Sequence, residues 1–197
     1  MSDPETIRVY DAKAEEYAEL VREIGEEDQT LAAFIADCPP GGRVLDLGCG
    51  PGGSAAVMAG AGLQVDATDA SAEMVAMAAR IDGVTAWQAS FEEIDAVDHY
   101  DGIWANFSLL HADRAALPEL LKSLRRALRD GGRFHIAVKE GDGAARDAIG
   151  RLYTYYRQDE LEGLLSAAGF TVVGSASGTT RGMDGVMANW FALAADA

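Results

Sequence analysis

Asp46, Gly48, Gly50, Gly52 and Asp69 are the residues of this chain whose types and order point to chemistry. The glycines follow a short apolar stretch and precede an apolar one. Backbone N–H groups at a turn that opens onto a helix form an anion site. Asp46 stands two residues before the first glycine. A carboxylate roughly 4 Å from a bound anion repels it by about 1 kcal/mol in water and by about 4 kcal/mol at an intermediate dielectric. The turn therefore suits a ligand with positive charge and little negative charge. Asp69 lies 23 positions after Asp46. An acid about 20 residues beyond a glycine turn, at the end of the next strand, reaches ribose hydroxyls, and a carboxylate accepts both with charge-assisted strength. Its local alternative is to cap the helix that begins at Ser71-Ala72-Glu73-Met74.

Three elements must hold these groups. Val44, Leu45 and Leu47 read as a strand buried on both faces. The glycines supply the turn. Ser54 is placed to cap a helix over residues 55–61. Gly48, Gly50 and Gly53 also satisfy G-x-G-x-x-G, the dinucleotide pattern, so an NAD(P)-dependent oxidoreductase is one rival reading. A binding or interaction module without turnover is another.

The stretch from Val44 to Gly53 resembles the first motif of the class I S-adenosylmethionine (SAM)-dependent methyltransferases, in which Asp-x-Gly-x-Gly-x-Gly closes the first strand. The likeness is to small-molecule enzymes, nearest to methyltransferase domain types 11 and 25. It runs over residues 10–195 and is most specific over residues 44–107. It implies SAM as cofactor, a small-molecule acceptor, and a doubly wound α/β fold. Seven mostly parallel strands, the last antiparallel, would lie beneath an N-terminal helical cap. By the same resemblance, Asp46 and the backbone of Gly48, Gly50 and Gly52 hold the methionine end. Asp69 and Ala70 meet the ribose. Met74 and Phe91 pack on the adenine, Tyr17 lines the pocket, and Asn106 ends the fourth strand beneath the methionine. Ser90 stands where the family usually has an acid for the adenine amino group, so recognition there shifts toward backbone groups.

No catalytic residue stands out. His111 is the one histidine near the crevice, with a pKa range suited to neutral pH; its alternative is a loop hydrogen bond. Tyr10 is a second candidate. Tyr10 and Tyr17, seven positions apart, share a helix face either as core aromatics or as pocket walls.

The remaining pattern frames a single domain, with a cap over residues 1–40 and the main unit over residues 41–197. Helices are expected over residues 4–24, with Gly25 as the stop, and over residues 27–36. Further strands fall at residues 64–69, 84–89, 100–107, 133–139, 170–173 and 186–194, with helices from residue 71, at 114–129 and at 158–168. Residues 140–157 read as irregular, with Tyr153, Tyr155 and Tyr156 between Arg151 and Arg157 as a substrate-pocket wall, a clamp on an acidic substrate, or a packed linker. Residues 174–185 read as a mobile loop. Lys122, Arg125, Arg126, Arg129 and Arg133 read as a solvated helix face.

The chain has 197 residues, 49% of them hydrophobic, and a net charge of −16. That charge disfavours nucleic acid and anionic membranes as partners. The first 40 residues hold 11 acids against 3 bases. Two cysteines make no disulfide framework, and no metal-ligand spacing is visible. Neither a membrane span nor a signal pattern is found, so a cytoplasmic location is expected.

Overall fold

The computed structural model describes residues 3–22 and 28–197, the side chains of residues 21 and 22 excepted. Its helices are α1 (Pro4–Ala12), α2 (Ala14–Arg22), α3 (Gln29–Asp37), α4 (Gly53–Gly60), α5 (Ala72–Ala78), α6 (Leu117–Ala127) and α7 (Gln158–Ala167). The strands are β1 (Arg43–Leu47), β2 (Gln64–Asp69), β3 (Val84–Gln88), β4 (Tyr100–Asn106), β5 (Leu128–Lys139), β6 (Ala144–Arg146), β7 (Leu152–Thr154), β8 (Thr171–Arg181) and β9 (Met187–Asp196).

Seven strands form one sheet in the order β3-β2-β1-β4-β5-β9-β8. β1 pairs in parallel with both β2 and β4, so the strand ending at Asp46 and Leu47 is central. The order reverses at β1, and in open α/β sheets the ligand crevice lies outside the strand carboxyl ends at such a switch. β9 runs antiparallel between β5 and β8, as the resemblance implied.

Alternation along the strands sends side chains to two cores. Val44 and Trp104 pack with Leu31, Phe34 and Met58 on the side of α3 and α4. Leu45, Leu47, Ile103 and Phe134 pack with Leu121 and Leu165 on the side of α6 and α7. Gly102 is where α3 touches the sheet, because a Cβ there would lie 2.7 Å from Phe34 Cζ and 2.9 Å from Cys38 Sγ.

Several sequence expectations need correcting. The first helix breaks at Lys13 (φ −121°), whose N–H bonds the carbonyls of Val9 and Tyr10. Its expected end at Gly25, and the start of the next helix at Glu27, lie outside the described residues. Ser54 is not a cap. Gly52, left-handed at φ 89°, holds that position with no side-chain bond, and Ser54 falls inside the first turn. Residues 140–157 contain the hairpin β6–β7. It is held from far along the chain: Arg146 grips Asp3 and Leu152 N–H donates to Thr6 Oγ1. The expected loop at residues 174–185 is mostly strand, since β8 pairs with β9 as far as Arg181. Small residues serve that pairing: Gly178 lies opposite Trp190, whose indole would come within 2.8 Å of any Cβ there. Of the basic stripe, Lys122, Arg125 and Arg126 lie on α6, as read, whereas Arg129 and Arg133 fall on β5, where Arg129 pairs with Asp101 and Arg133 with Asp37 and Asp196.

Gly102→Ala forces a methyl into this packed seam, and overpacking of this kind costs about 1–3 kcal/mol. Urea denaturation should show the unfolding free energy fall by that amount, as a lower midpoint with an unchanged slope.

Candidate active site

Beyond β1 the chain makes two sharp turns at the sheet's carboxyl edge. Gly48, Gly50 and Gly52 have φ of 70°, 54° and 89°. Gly48 also admits Ser108, whose Cβ would lie 2.3 Å from a methyl at that position. The N–H groups of Gly48 and Cys49 both donate to Thr68 O, at 2.7 and 2.9 Å. Asp69 ties the loop from the other side. One carboxylate oxygen accepts Gly50 N–H at 2.9 Å and the other accepts Ser71 N–H at 2.8 Å. Ser71, not Asp69, caps α5 through its bond to Met74 N–H.

Asp46 has less support, with the Ala55 backbone on its carboxylate. It is 3% exposed, and its Oδ2 has no hydrogen-bond partner. Burial, and next the charge of Asp69, push its carboxyl up to about 7. Asp69 is also shifted upward by burial, against the pull of its backbone donors.

Asp69, Gly48 and Gly50 face a narrow cavity, and Asp46 lines the wider space that adjoins it. Ala70, Met74 and Phe91 also line the narrow cavity, with Tyr10, Tyr17, Asn106 and His111 on its other walls. Tyr17 closes over the glycine loop, its Cε1 3.3 Å from where a Gly50 Cβ would sit. Ser90 is not brought to this wall. Its hydroxyl and N–H both turn to the Glu93 carboxylate, at 2.8 and 2.7 Å. Asn106 is fixed by His135, whose Nε2 lies 3.2 Å from Asn106 Oδ1. α1 is drawn over the cavity by a 2.5 Å hydrogen bond from Ser71 Oγ to Asp11.

The cavity continues into a wider lobe of about 590 Å³ that opens to solvent. Tyr10, Tyr17, Phe107 and His111 stand between the two spaces. The lobe adds Lys139, Arg151, Tyr153, Met183 and Trp190. Of these the sequence reading singled out only Tyr153 and its flanking Arg151. Lys139 could have been found by position alone, as the last residue of a strand whose end faces the crevice.

Where the lobes meet, His111 and Tyr10 are joined. His111 Nδ1 lies 2.6 Å from Leu152 O. A carbonyl only accepts, so Nδ1 carries the proton and Nε2 accepts from the Tyr10 hydroxyl at 2.9 Å. Arg151 Nη1 donates to the same hydroxyl oxygen at 3.2 Å, and its guanidinium is ion-paired with Asp147. Burial lowers the His111 pKa to about 4, and the Arg151 charge adds to the shift. The imidazole is neutral at physiological pH and a weak proton acceptor. Among the described residues no group of His, Cys, Asp and Glu could hold a metal ion, and no helix is long and apolar enough to cross a membrane.

What fits the first cavity and reaches into the lobe beside it brings positive charge to Asp46, hydroxyls to Asp69 and a flat face to Met74 and Phe91. A nucleoside with a cationic tail meets all three needs.

A family model described as a methyltransferase domain, type 23, matches residues 14–175. The chain belongs to the class I SAM-dependent methyltransferases. Over 92 residues, 46% of this chain and 36% of the relative, it is 39% identical to a malonyl-[acyl-carrier protein] O-methyltransferase of Enterobacter lignolyticus. It spans between 36% and 61% of the length of the curated relatives it matches. The fold is similar to that of the Burkholderia thailandensis 1,6-didemethyltoxoflavin N1-methyltransferase solved with 1,6-didemethyltoxoflavin and S-adenosylhomocysteine. The TM-score is 0.73 and the identity 26%, covering 100% of this chain and 91% of that one. The [4+2]-cyclase SpnF shares the fold at TM-score 0.74 and 18% identity, covering 100% and 97%. The architecture alone thus hosts more than one reaction.

The hydrogen bonds of His111 predict one fixed tautomer. Long-range nitrogen–proton NMR should find it neutral and protonated on Nδ1 from pH 8 down to pH 5, where a free imidazole would titrate near 6.5.

Proposed function

We propose that this domain binds SAM and transfers its methyl group to a small-molecule acceptor. The observation that carries the reading is the buried Asp46 oxygen without a partner, beside a backbone turn that excludes side chains. A buried polar atom left unpaired costs about 1–3 kcal/mol, and a cationic ligand removes that cost. A pyrophosphate would add to it, which disfavours the dinucleotide reading.

Asp46 and the backbone of Gly48, Gly50 and Gly52 hold the amino-acid end of the cofactor. Asp69, with Ala70 beside it, takes the ribose hydroxyls; its oxygens each keep acceptor capacity beyond their backbone bonds. Met74 and Phe91 pack on the adenine, and Tyr17 covers the loop. The polar edge of the base falls to backbone groups, since the Ser90 hydroxyl is committed to Glu93. When bound, the cofactor supplies a methyl group already activated by its sulfonium. The protein then has chiefly to align a nucleophile, and orientation of this kind supplies about 7–11 kcal/mol in favourable cases. Tyr10, held between Arg151 and neutral His111, orients the acceptor; His111 is too weak a base for the pair to act mainly by taking a proton.

Calorimetry tests the cofactor. SAM should bind the wild type, and Asp69→Ala should weaken it at least tenfold. No binding to the wild type, or an unchanged affinity in the variant, overturns the assignment, and tight NADH binding in its place restores the oxidoreductase.

A second measurement isolates Asp46. Near pH 7 its carboxyl is about half protonated in the free protein, and an adjacent cation favours the charged form. Binding should release a proton, so affinity rises with pH up to about 7 and levels off above it. Titrations in two buffers of different ionisation enthalpy should report this release, and Asp46→Asn should abolish it.

A further inference from the structure

Lys139 is the group in the wider lobe that the reading above leaves unused. It ends β5 and lies in register with Trp190 of β9, so both side chains stand on one face of the sheet. Its ammonium sits 3.7 Å from the centroid of the Tyr153 ring. Arg151 lies over the same ring, 5.2 Å from its centroid. Two cations thus share one aromatic surface.

Asp147 and Asp184 both act on Lys139 at a distance, and neither forms an ion pair with it. Asp147 is taken by Arg151, through its guanidinium and its N–H, and by Ile149 N–H. The Asp184 carboxylate caps a turn by accepting Val186 N–H. Among the described residues no carboxylate lies within ion-pair distance of Lys139. Burial pushes its pKa down, with Asp184 opposing the shift. In a chain with 32 acids and 16 bases, a lysine left without a carboxylate inside a cavity is a group kept for a ligand.

The walls give that ligand a shape. Trp190 meets Phe107 edge to face at 5.8 Å, and both line the lobe with Tyr153 and Met183. Aromatic walls of this kind take flat rings. We infer that the methyl acceptor is a flat molecule bearing an anionic group, a carboxylate in the simplest case, which pairs with Lys139 while its ring lies against Trp190 and Phe107. This substrate class rests on the methyl-transfer reading. It assigns Lys139 a specificity-determining role in which it takes no part in bond making.

The test uses the protein saturated with S-adenosylhomocysteine, and 2-naphthoate against 2-naphthamide as probes of equal shape and different charge. Ligand-observed NMR titration should show the acid binding at least tenfold more tightly than the amide. Lys139→Met should reduce that ratio below threefold, Lys139→Arg should keep it, and S-adenosylhomocysteine affinity should stay within twofold in both variants. A wild-type ratio near one, absence of binding by either probe, or a ratio untouched in Lys139→Met overturns the inference while the cofactor assignment stands. Failure of S-adenosylhomocysteine to bind the wild type overturns the cofactor assignment and the inference with it.

Discussion

One carboxylate without a counter-charge governs this site. Asp46 is set at the end of the central strand, where burial on both faces of the sheet leaves it little water. Its neighbour Asp69 is equally negative, and the two raise each other's cost of ionisation. Asp69 meets that cost with two backbone N–H groups, whereas one oxygen of Asp46 meets none. A protein assembled for stability alone would place an apolar residue or a hydrogen-bond donor there. The orphan oxygen makes sense as half of an interaction whose other half is a cation. The glycine turn is built to the same end. Positive φ at three glycines, with Ser108 and Tyr17 pressed against two of them, keeps side chains out of the space the cation would enter.

The central βαβ unit was legible because its signals are local. Apolar run, acid, glycines and a second acid at strand spacing require no knowledge of distant partners, and β1, β2 and the positions of Asp46 and Asp69 came out as read. The antiparallel edge came from the family resemblance. What failed depends on tertiary contact. The hairpin β6–β7 looks irregular in sequence because Asp3 and Thr6, which hold it, lie some 140 positions away. The long strand β8 is rich in Gly, Ser and Thr, which reads as a loop, yet those small residues leave room for Trp190 against Gly178. The cap at Ser54 was misplaced by two residues because left-handed Gly52 starts the helix earlier than a side-chain cap would.

The same division holds within the site. Residues of the cofactor half announce themselves by motif, with the exception of Ser90, whose local capping box with Glu93 outcompetes any ligand. The other half is assembled from Tyr10, His111, Lys139, Arg151, Tyr153 and Trp190. These come from a cap helix, a short turn, two strand ends and a hairpin, and no spacing rule links them. Three tyrosines between two arginines hinted at Tyr153 but could not show that Tyr153 and Tyr156 turn inward while Tyr155 stays half-buried.

Charge separates the two halves. Asp69 lines the first cavity and Asp46 the lobe beside the glycine turn, whereas Lys139 and Arg151 line the lobe beside Tyr153, so a cationic and an anionic ligand would each meet the opposite sign. The surface as a whole carries a net charge of −16, which repels anions in solution. That long-range field is screened over about 10 Å at 0.1 M salt, whereas a contact inside the lobe is shielded little. An anion therefore approaches against the field and is selected at the contact. The arrangement favours discrimination over speed: the exterior slows anions of every kind, and the lobe retains those that also fit its aromatic walls. Bringing the two charged ligands together has a further consequence. The two ligands carry opposite charges and attract each other, so binding of one favours binding of the other.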